Sequence, residues 1–330
     1  MDLQQVFTNQ AGRLRSGWRL TAFALIYIAL LFLISTAVRI FYAIASLVAP
    51  GLRPGPYFEN IVFRLILLAA ALVVGYLCTR WLEDLPWRAM GLTPHARWLR
   101  DFFVGSIIGV ASLALATGIA TAGGGLQFRA ADIGLLLQTG ETLVFSAALF
   151  IIAALAEEAL FRGYPLQTLA RAGLAWLGLL ITSVPFAAVH LRNPNVVQGF
   201  TFVNTALAGV WLAVAYLRTR SLWFPLGVHW SWNWALGSLF GLPVSGITNI
   251  APHPLLHGVD VGPAWLTGGS YGIEGGVAGT ITLVISTIFI WRTRLVSATE
   301  EMKKLTSQEN PVSEKRLISI LPQLNDSTSD

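Results

Sequence analysis

The chain is short of charge. Asp, Glu, Lys and Arg make up 12% of its 330 residues, about half the share of an ordinary globular chain. Twelve of those 39 side chains also fall in residues 292–330, and a water-soluble exterior cannot be built from what remains. Cysteine is nearly absent: Cys78 stands alone, which excludes an intrachain disulfide and a CxxC metal or redox pair. There is no HExxH signature of a zinc peptidase, and no internal repeat of the kind that builds transporters from duplicated halves. No short apolar run ends in a small-residue cleavage site, so the first apolar stretch is expected to stay as a span rather than leave as a signal peptide. What is present is hydrophobic: 55% of residues, with a mean hydropathy of +0.63. These numbers define an integral membrane protein. The net charge of +5 does not point to nucleic acid, because the basic residues flank apolar stretches instead of forming a patch.

A bilayer core of ~30 Å needs about 20 apolar helical residues. Eight stretches meet or approach that length: 20–38, 61–80, 102–122, 143–161, 174–190, 198–217, 222–240 and 276–291. Residues 40–49 read as a separate interfacial helix. With the N-terminus cytoplasmic, 17 Lys and Arg fall on the cytoplasmic side and 5 (Arg39, Arg53, Arg64, Arg129 and Arg192) toward the outside. That bias supports eight spans with both termini cytoplasmic. The expected class is an all-α polytopic membrane protein, a bundle of about eight helices in the cell (cytoplasmic) membrane. Its organisation reads as a cytoplasmic segment 1–19, N-terminal helices 20–140, a core 141–240, an outer loop and last helix 241–291, and a polar cytoplasmic tail 292–330. The fragment Leu317-Ile-Ser-Ile-Leu321 could dock, though a bland tail is the simpler reading.

Ionisable groups inside a span cost at least ~2.5 kcal/mol each on insertion scales, so the few present need a reason. They form three helical pairs. Glu158 and Arg162 are spaced i,i+4 with the acid first, which favours an ion pair on one face. Glu157 sits ~100° around the helix and has no sequence-local partner. Phe186 and His190 close the fifth stretch at the same spacing, and His229 and Asn233 share a face of the seventh. Gly173 is the natural turn between the fourth and fifth helices. Glu157 lies 16 residues before it and His190 lies 17 after it, so an antiparallel hairpin sets both at one depth, with Pro165 kinking rather than ending the fourth helix. A carboxylate level with an imidazole in an apolar bundle is an arrangement for activating water, and His229 and Asn233 could donate to a developing oxyanion.

In this order, Glu157-Glu158-x-x-x-Arg162, Phe186-x-x-x-His190 and His229-x-x-x-Asn233 resemble the CPBP family of intramembrane proteases, which includes the CAAX prenyl proteases (the Rce1-like, or ABI, proteins). The likeness is strong over 141–240 and weaker at Gly12–Leu20 and Tyr271–Gly279. It implies a glutamate-dependent endopeptidase. Glu157 would be the base for the hydrolytic water, helped by His190, while His229 and Asn233 form the oxyanion site. Glu158, Arg162 and Phe186 would give structural support.

The expected partners are a peptide or protein substrate, lipidated or not, and the lipid bilayer, with no nucleic acid and no cofactor. Cleavage is expected near the cytoplasmic side. Two rivals stay open. Glu157, His190 and His229 could instead bind zinc as a His₂Glu set with an open fourth position. A non-enzymatic scaffold or a proton or ion pathway is the other. The pair His253 and His257 reads as part of an outer loop, given the prolines beside it, and Gly275-x-x-x-Gly279 as a close helix-packing face.

Overall fold

A computed structural model describes residues 6–9, 12–49, 55–197, 199–248 and 250–307; the fragment 317–321 lies outside them. The chain is a helical bundle. In order it forms α1 (Ser16–Val48), α2 (Pro56–Leu82), α3 (Trp98–Ala122), α4 (Leu136–Glu158), α5 (Tyr164–Arg171), α6 (Ala175–His190), α7 (Phe200–Thr219), α8 (Trp223–Trp234), α9 (Val277–Arg292) and α10 (Glu300–Thr306). All eight apolar stretches are helical. Among the described residues, five helices are long and apolar enough to cross a membrane: Ser16–Val48, Phe58–Leu82, Trp98–Ala122, Ile133–Arg171 and Phe200–Thr219. The apolar helices Ala175–His190 and Val277–Arg292 are shorter. Large apolar side chains such as Leu25, Phe32, Leu47, Ile107 and Phe145 face outward, as lipid-facing surface requires. This is a multi-pass membrane protein.

Two expectations change. Residues 40–49 are not a separate helix: α1 runs unbroken to Val48, because neither Gly nor Pro interrupts 19–48 to stop it. The fourth helix, by contrast, runs on past 161 toward Gly173 as the hairpin count requires. A π turn at Ala159–Gly163 carries α4 into α5 and on to Arg171; Pro165 falls in the first turn of α5, where its missing N–H costs little. The bundle is also not purely helical. Strands β1 (Leu126–Ala130) and β2 (Leu256–Asp260) pair antiparallel, with Arg129 opposite His257. Five-residue strands inside long loops carry too little alternation to be seen in the sequence.

Helix packing explains where the later motifs sit. Gly105 and Gly109 of α3 and Gly227 of α8 let the two helix backbones approach closely. A Cβ on Gly105 would lie 2.4 Å from the Phe224 carbonyl oxygen, and one on Gly227 would lie 2.1 Å from that of Phe102. This small-residue contact presses α8, and with it His229, into the bundle. Gly276 and Gly279 are crowded in the same way, but by the carbonyls of Leu266 and Ile273 in the preceding loop. The Gly275–Gly279 motif therefore packs against a loop rather than another helix.

One face of the bundle is rich in arginine. Of the 19 Lys and Arg among the described residues, 14 lie at the helix ends of that face, together with residues 13–19 and α10. Their contacts tie it shut. Buried Glu83 at the end of α2 takes Arg19 Nη1 at 3.2 Å, Arg171 and the Thr168 hydroxyl, while its carbonyl accepts from Arg13. Arg97 and Arg100 bind the carbonyls of Ser297 and Leu295, and Arg88 pairs with Glu301. Residues 300–306, read as part of a loose tail, are thereby docked as α10. His95 sits buried beneath this face, and burial lowers its pKa from the ordinary imidazole value. The opposite face carries the β1–β2 ribbon and loops 191–199 and 241–276.

Candidate active site

The turn at Gly173, held at φ +77°, folds α6 back along α4–α5 and brings Glu157 and His190 to nearly one level, as their near-equal spacing from it requires. Glu157 Oε2 lies 3.9 Å from His190 Nε2 and 3.7 Å from His229 Nε2. Both gaps exceed a direct hydrogen bond. Each imidazole is held by its other nitrogen: His190 Nδ1 lies 2.7 Å from the Phe186 carbonyl oxygen, and His229 Nδ1 lies 2.8 Å from Glu158 Oε1. A ring whose Nδ1–H donates to a fixed acceptor presents Nε2 to the cavity in a defined orientation. Here both Nε2 atoms converge on one carboxylate oxygen.

The expected Glu158–Arg162 pair forms at 3.0 Å with both side chains fully buried. Arg162 also donates to the Gly209 carbonyl. Glu158 Oε1 thus accepts from both Arg162 and His229 and ties α4 to α8. Phe186 stands under the guanidinium, its ring centroid 4.5 Å from the Arg162 carbon, and against the His190 ring at 4.6 Å. Asn233 lines the same cavity one turn beyond His229, followed by a second π turn at Ala235–Leu239. Single-turn π insertions recur at functional sites because they re-aim neighbouring side chains.

Glu157, without a partner nearby in sequence, finds one from far along the chain. Arg64, from the first third of α2, donates Nη1 to Glu157 Oε1 at 2.9 Å. That occupies one carboxylate oxygen and leaves Oε2 for the imidazoles. Ninety-three positions separate the two, beyond any local spacing rule, and Arg64 had been read only as a flanking charge.

Glu274 was also missed as a site residue. It reaches the cavity from the loop before α9 and accepts from Trp232 Nε1 at 3.1 Å and from the backbone and hydroxyl of Ser245. Burial pushes its carboxyl above the ordinary carboxylate range. The faint signal for it was a carboxylate among glycines at 271–279.

The cavity has a volume of about 80 Å³ and is lined by Leu149, Phe150, Trp211 and Val244 among other apolar groups. A few polar groups converge in an apolar wall, the pattern of a small-molecule site. Among the described residues, no three His, Cys, Asp or Glu side chains are gathered closely enough to hold a metal ion as they stand.

Together these features define a helical membrane protein with a carboxylate–imidazole centre buried in its bundle. Residues 139–235, which contain Glu157, His190, His229 and Asn233, match the family described as type II CAAX prenyl endopeptidase Rce1-like, a domain-level likeness over less than a third of the chain. An uncharacterized 24.3 kDa protein of Escherichia coli is 38% identical over 95 residues, which cover 28% of this chain and 42% of that protein. The chain thus spans less than half the length of that relative. Arg64 and Glu274 lie outside the matched segment.

Proposed function

We propose that the protein is an intramembrane endopeptidase that hydrolyses a peptide bond with a water activated by Glu157 and His190. The observation that carries this reading is the convergence of His190 Nε2 and His229 Nε2 on Glu157 Oε2, at 3.9 and 3.7 Å. A water about 2.8 Å from Oε2 and from His190 Nε2 fits that separation. Glu157 takes a proton from the water as its oxygen bonds to the scissile carbonyl carbon. The carbonyl oxygen becomes an oxyanion beside Asn233 Nδ2 and His229 Nε2, which donates when the ring carries both protons. The proton held by Glu157 or His190 then passes to the leaving nitrogen as the C–N bond breaks. Arg64 holds the carboxylate so that Oε2 rather than Oε1 meets the water. Glu158 and Arg162 hold Glu157 and His229 in register.

The test is a comparison by terminal mass spectrometry of membrane and secreted peptides from cells carrying the wild type or Glu157→Gln. New termini should appear only with the wild type. Identical termini in both would end the assignment. Asn233→Ala should keep substrate binding but lose ~10²–10³ in kcat, the usual effect of removing one oxyanion donor; a change confined to KM would give Asn233 a binding role instead.

The zinc version uses the same three groups. Against it stands Arg64, whose guanidinium 2.9 Å from Glu157 would sit beside a divalent cation. Activity of the purified protein should therefore survive exhaustive chelation. Loss on chelation, with recovery on adding zinc, would establish the metal-dependent mechanism.

A further inference from the structure

The motif Gly12–Leu20 takes no part in the chemistry around Glu157, yet it builds one wall of a second site. On the arginine-rich face an open groove of about 840 Å³ runs between residues 15–18, where α1 begins, and residues 171–174, the turn that joins α5 to α6. α1 starts uncapped: Arg15 at the N-cap makes no side-chain cap hydrogen bond, and the first turn holds no acid. Arg19 N–H makes the first intrahelical bond, to the Arg15 carbonyl, so the N–H groups of Ser16, Gly17 and Trp18 are left over. Gly17 keeps them open, since a Cβ there would meet nothing within 4 Å. The positive end of a 33-residue helix therefore lines the groove. Two buried polar groups on the walls point to an occupant as well. Arg171 is 3% exposed; its terminal nitrogens are taken by Gln167 and Glu83, but its Nε–H has no partner. Glu83 already serves two buried guanidinium groups, Arg19 and Arg171, so an anion beside Arg171 completes the balance. Ser16 is 9% exposed, and its hydroxyl has no hydrogen bond among the described residues. Arg15, exposed on the rim, uses only Nε, which donates to the Thr8 carbonyl at 3.1 Å. No described side chain on the walls is acidic.

We propose that this groove is a binding site for a phosphate group, as the headgroup of an anionic phospholipid presents it. Backbone N–H groups at a helix start, a hydroxyl and the guanidinium forks of Arg15 and Arg171 are the donor set that phosphate oxygens take. The surroundings favour a lipid over a free ion. Trp18 on the wall is 42% exposed, and Trp176, two residues past the groove, is 66% exposed. Tryptophans at the ends of spans sit at headgroup level, and basic pockets between transmembrane helices are where anionic headgroups lodge. A phosphate held there joins the start of α1 to the turn at Gly173, the same turn that brings Glu157 level with His190. The binding does not depend on the protease reading.

The test follows thermal unfolding of the purified full-length protein in dodecyl maltoside. Mixed micelles carry phosphatidylglycerol or, as a control without net charge, phosphatidylcholine; a third arm adds inorganic phosphate and no lipid. Phosphatidylglycerol should raise the transition by roughly 5 °C at saturation, because a ligand that binds only the folded state stabilises it by mass action. Phosphatidylcholine should leave it in place. Two variants assign the effect to the groove. Gly17→Leu covers the open N–H groups, and its Cβ has free space, so its transition without lipid should match the wild type. Arg15→Gln removes the guanidinium on the rim. Each should raise the phosphatidylglycerol concentration at half-effect about tenfold, as the loss of a hydrogen bond to a charged group does. A rise with phosphatidylglycerol, with or without one from inorganic phosphate, upholds the lipid site when the variants weaken it. A rise with inorganic phosphate alone keeps the phosphate site and overturns the lipid. No rise with either, an equal rise with phosphatidylcholine, or a rise that neither variant weakens overturns the proposal.

Discussion

Glu157→Gln should abolish peptide cleavage while leaving the protein folded. The amide keeps the shape of the carboxylate and can still accept from Arg64 through its oxygen, so the 2.9 Å contact is weakened in charge but not in geometry. What is lost is the ability to take a proton from water between Oε2 and His190. A positioned general base typically contributes 10²–10⁴ in rate. Here the same group also orients the attacking oxygen, so a loss at or beyond the upper end of that range is expected in kcat, with KM little changed. Unfolding in detergent should stay near the wild-type transition, because Glu157 is partly exposed to the cavity at 18% and its closest ion pair, at 2.9 Å, is with a similarly accessible Arg64. His190→Gln should fall less far, since Glu157 can still act alone as the base. A Glu157→Gln protein that retains more than about a tenth of the wild-type rate would remove Glu157 from the chemistry.

How much of this site could be seen in the sequence depended on distance along the chain. The Glu158–Arg162 pair follows from helical spacing alone, and it forms. The common depth of Glu157 and His190 follows from counting outward from Gly173, and it holds because the turn is tight and the two helices run straight back along each other. What spacing cannot supply is a partner from another part of the chain. Arg64 reaches Glu157 across 93 positions, and Glu274 arrives through a loop whose path is set by Trp232 and Ser245. The second link from His229 to Glu158 is invisible for the same reason: Glu158 seemed satisfied by Arg162. The fold was legible where apolar length spoke and illegible where it stopped. The helix end at 48, the strands at 126–130 and 256–260 and the docked α10 all depend on packing rather than hydropathy.

Glu158→Gln should be the variant that damages stability most among the motif residues. Glu158 and Arg162 are both fully buried, and Arg162 Nε and Glu158 Oε2 already lack hydrogen-bond partners. Taking the carboxylate charge away leaves a guanidinium in the apolar bundle facing neutral acceptors, the amide oxygen and the Gly209 carbonyl, and the rings of Phe161 and Phe186, with no fully buried carboxylate to balance it. Breaking a buried pair from one side typically costs about 3–5 kcal/mol, because the remaining charge is uncompensated. The expected readout is a large downward shift of the unfolding transition in detergent, with reduced cleavage as His229 Nδ1 exchanges a charged acceptor for a neutral one. Removing both charges separates the two effects. Glu158→Leu with Arg162→Met replaces the pair by apolar groups of similar length, a change that is often neutral for a buried ion pair. The double variant should recover most of the stability and none of the activity, since leucine at 158 leaves His229 Nδ1 with no acceptor from that position. If the double variant is as unstable as Glu158→Gln, the cost lies in packing rather than in the unpaired charge; if it regains activity, His229 does not depend on Glu158 for its orientation.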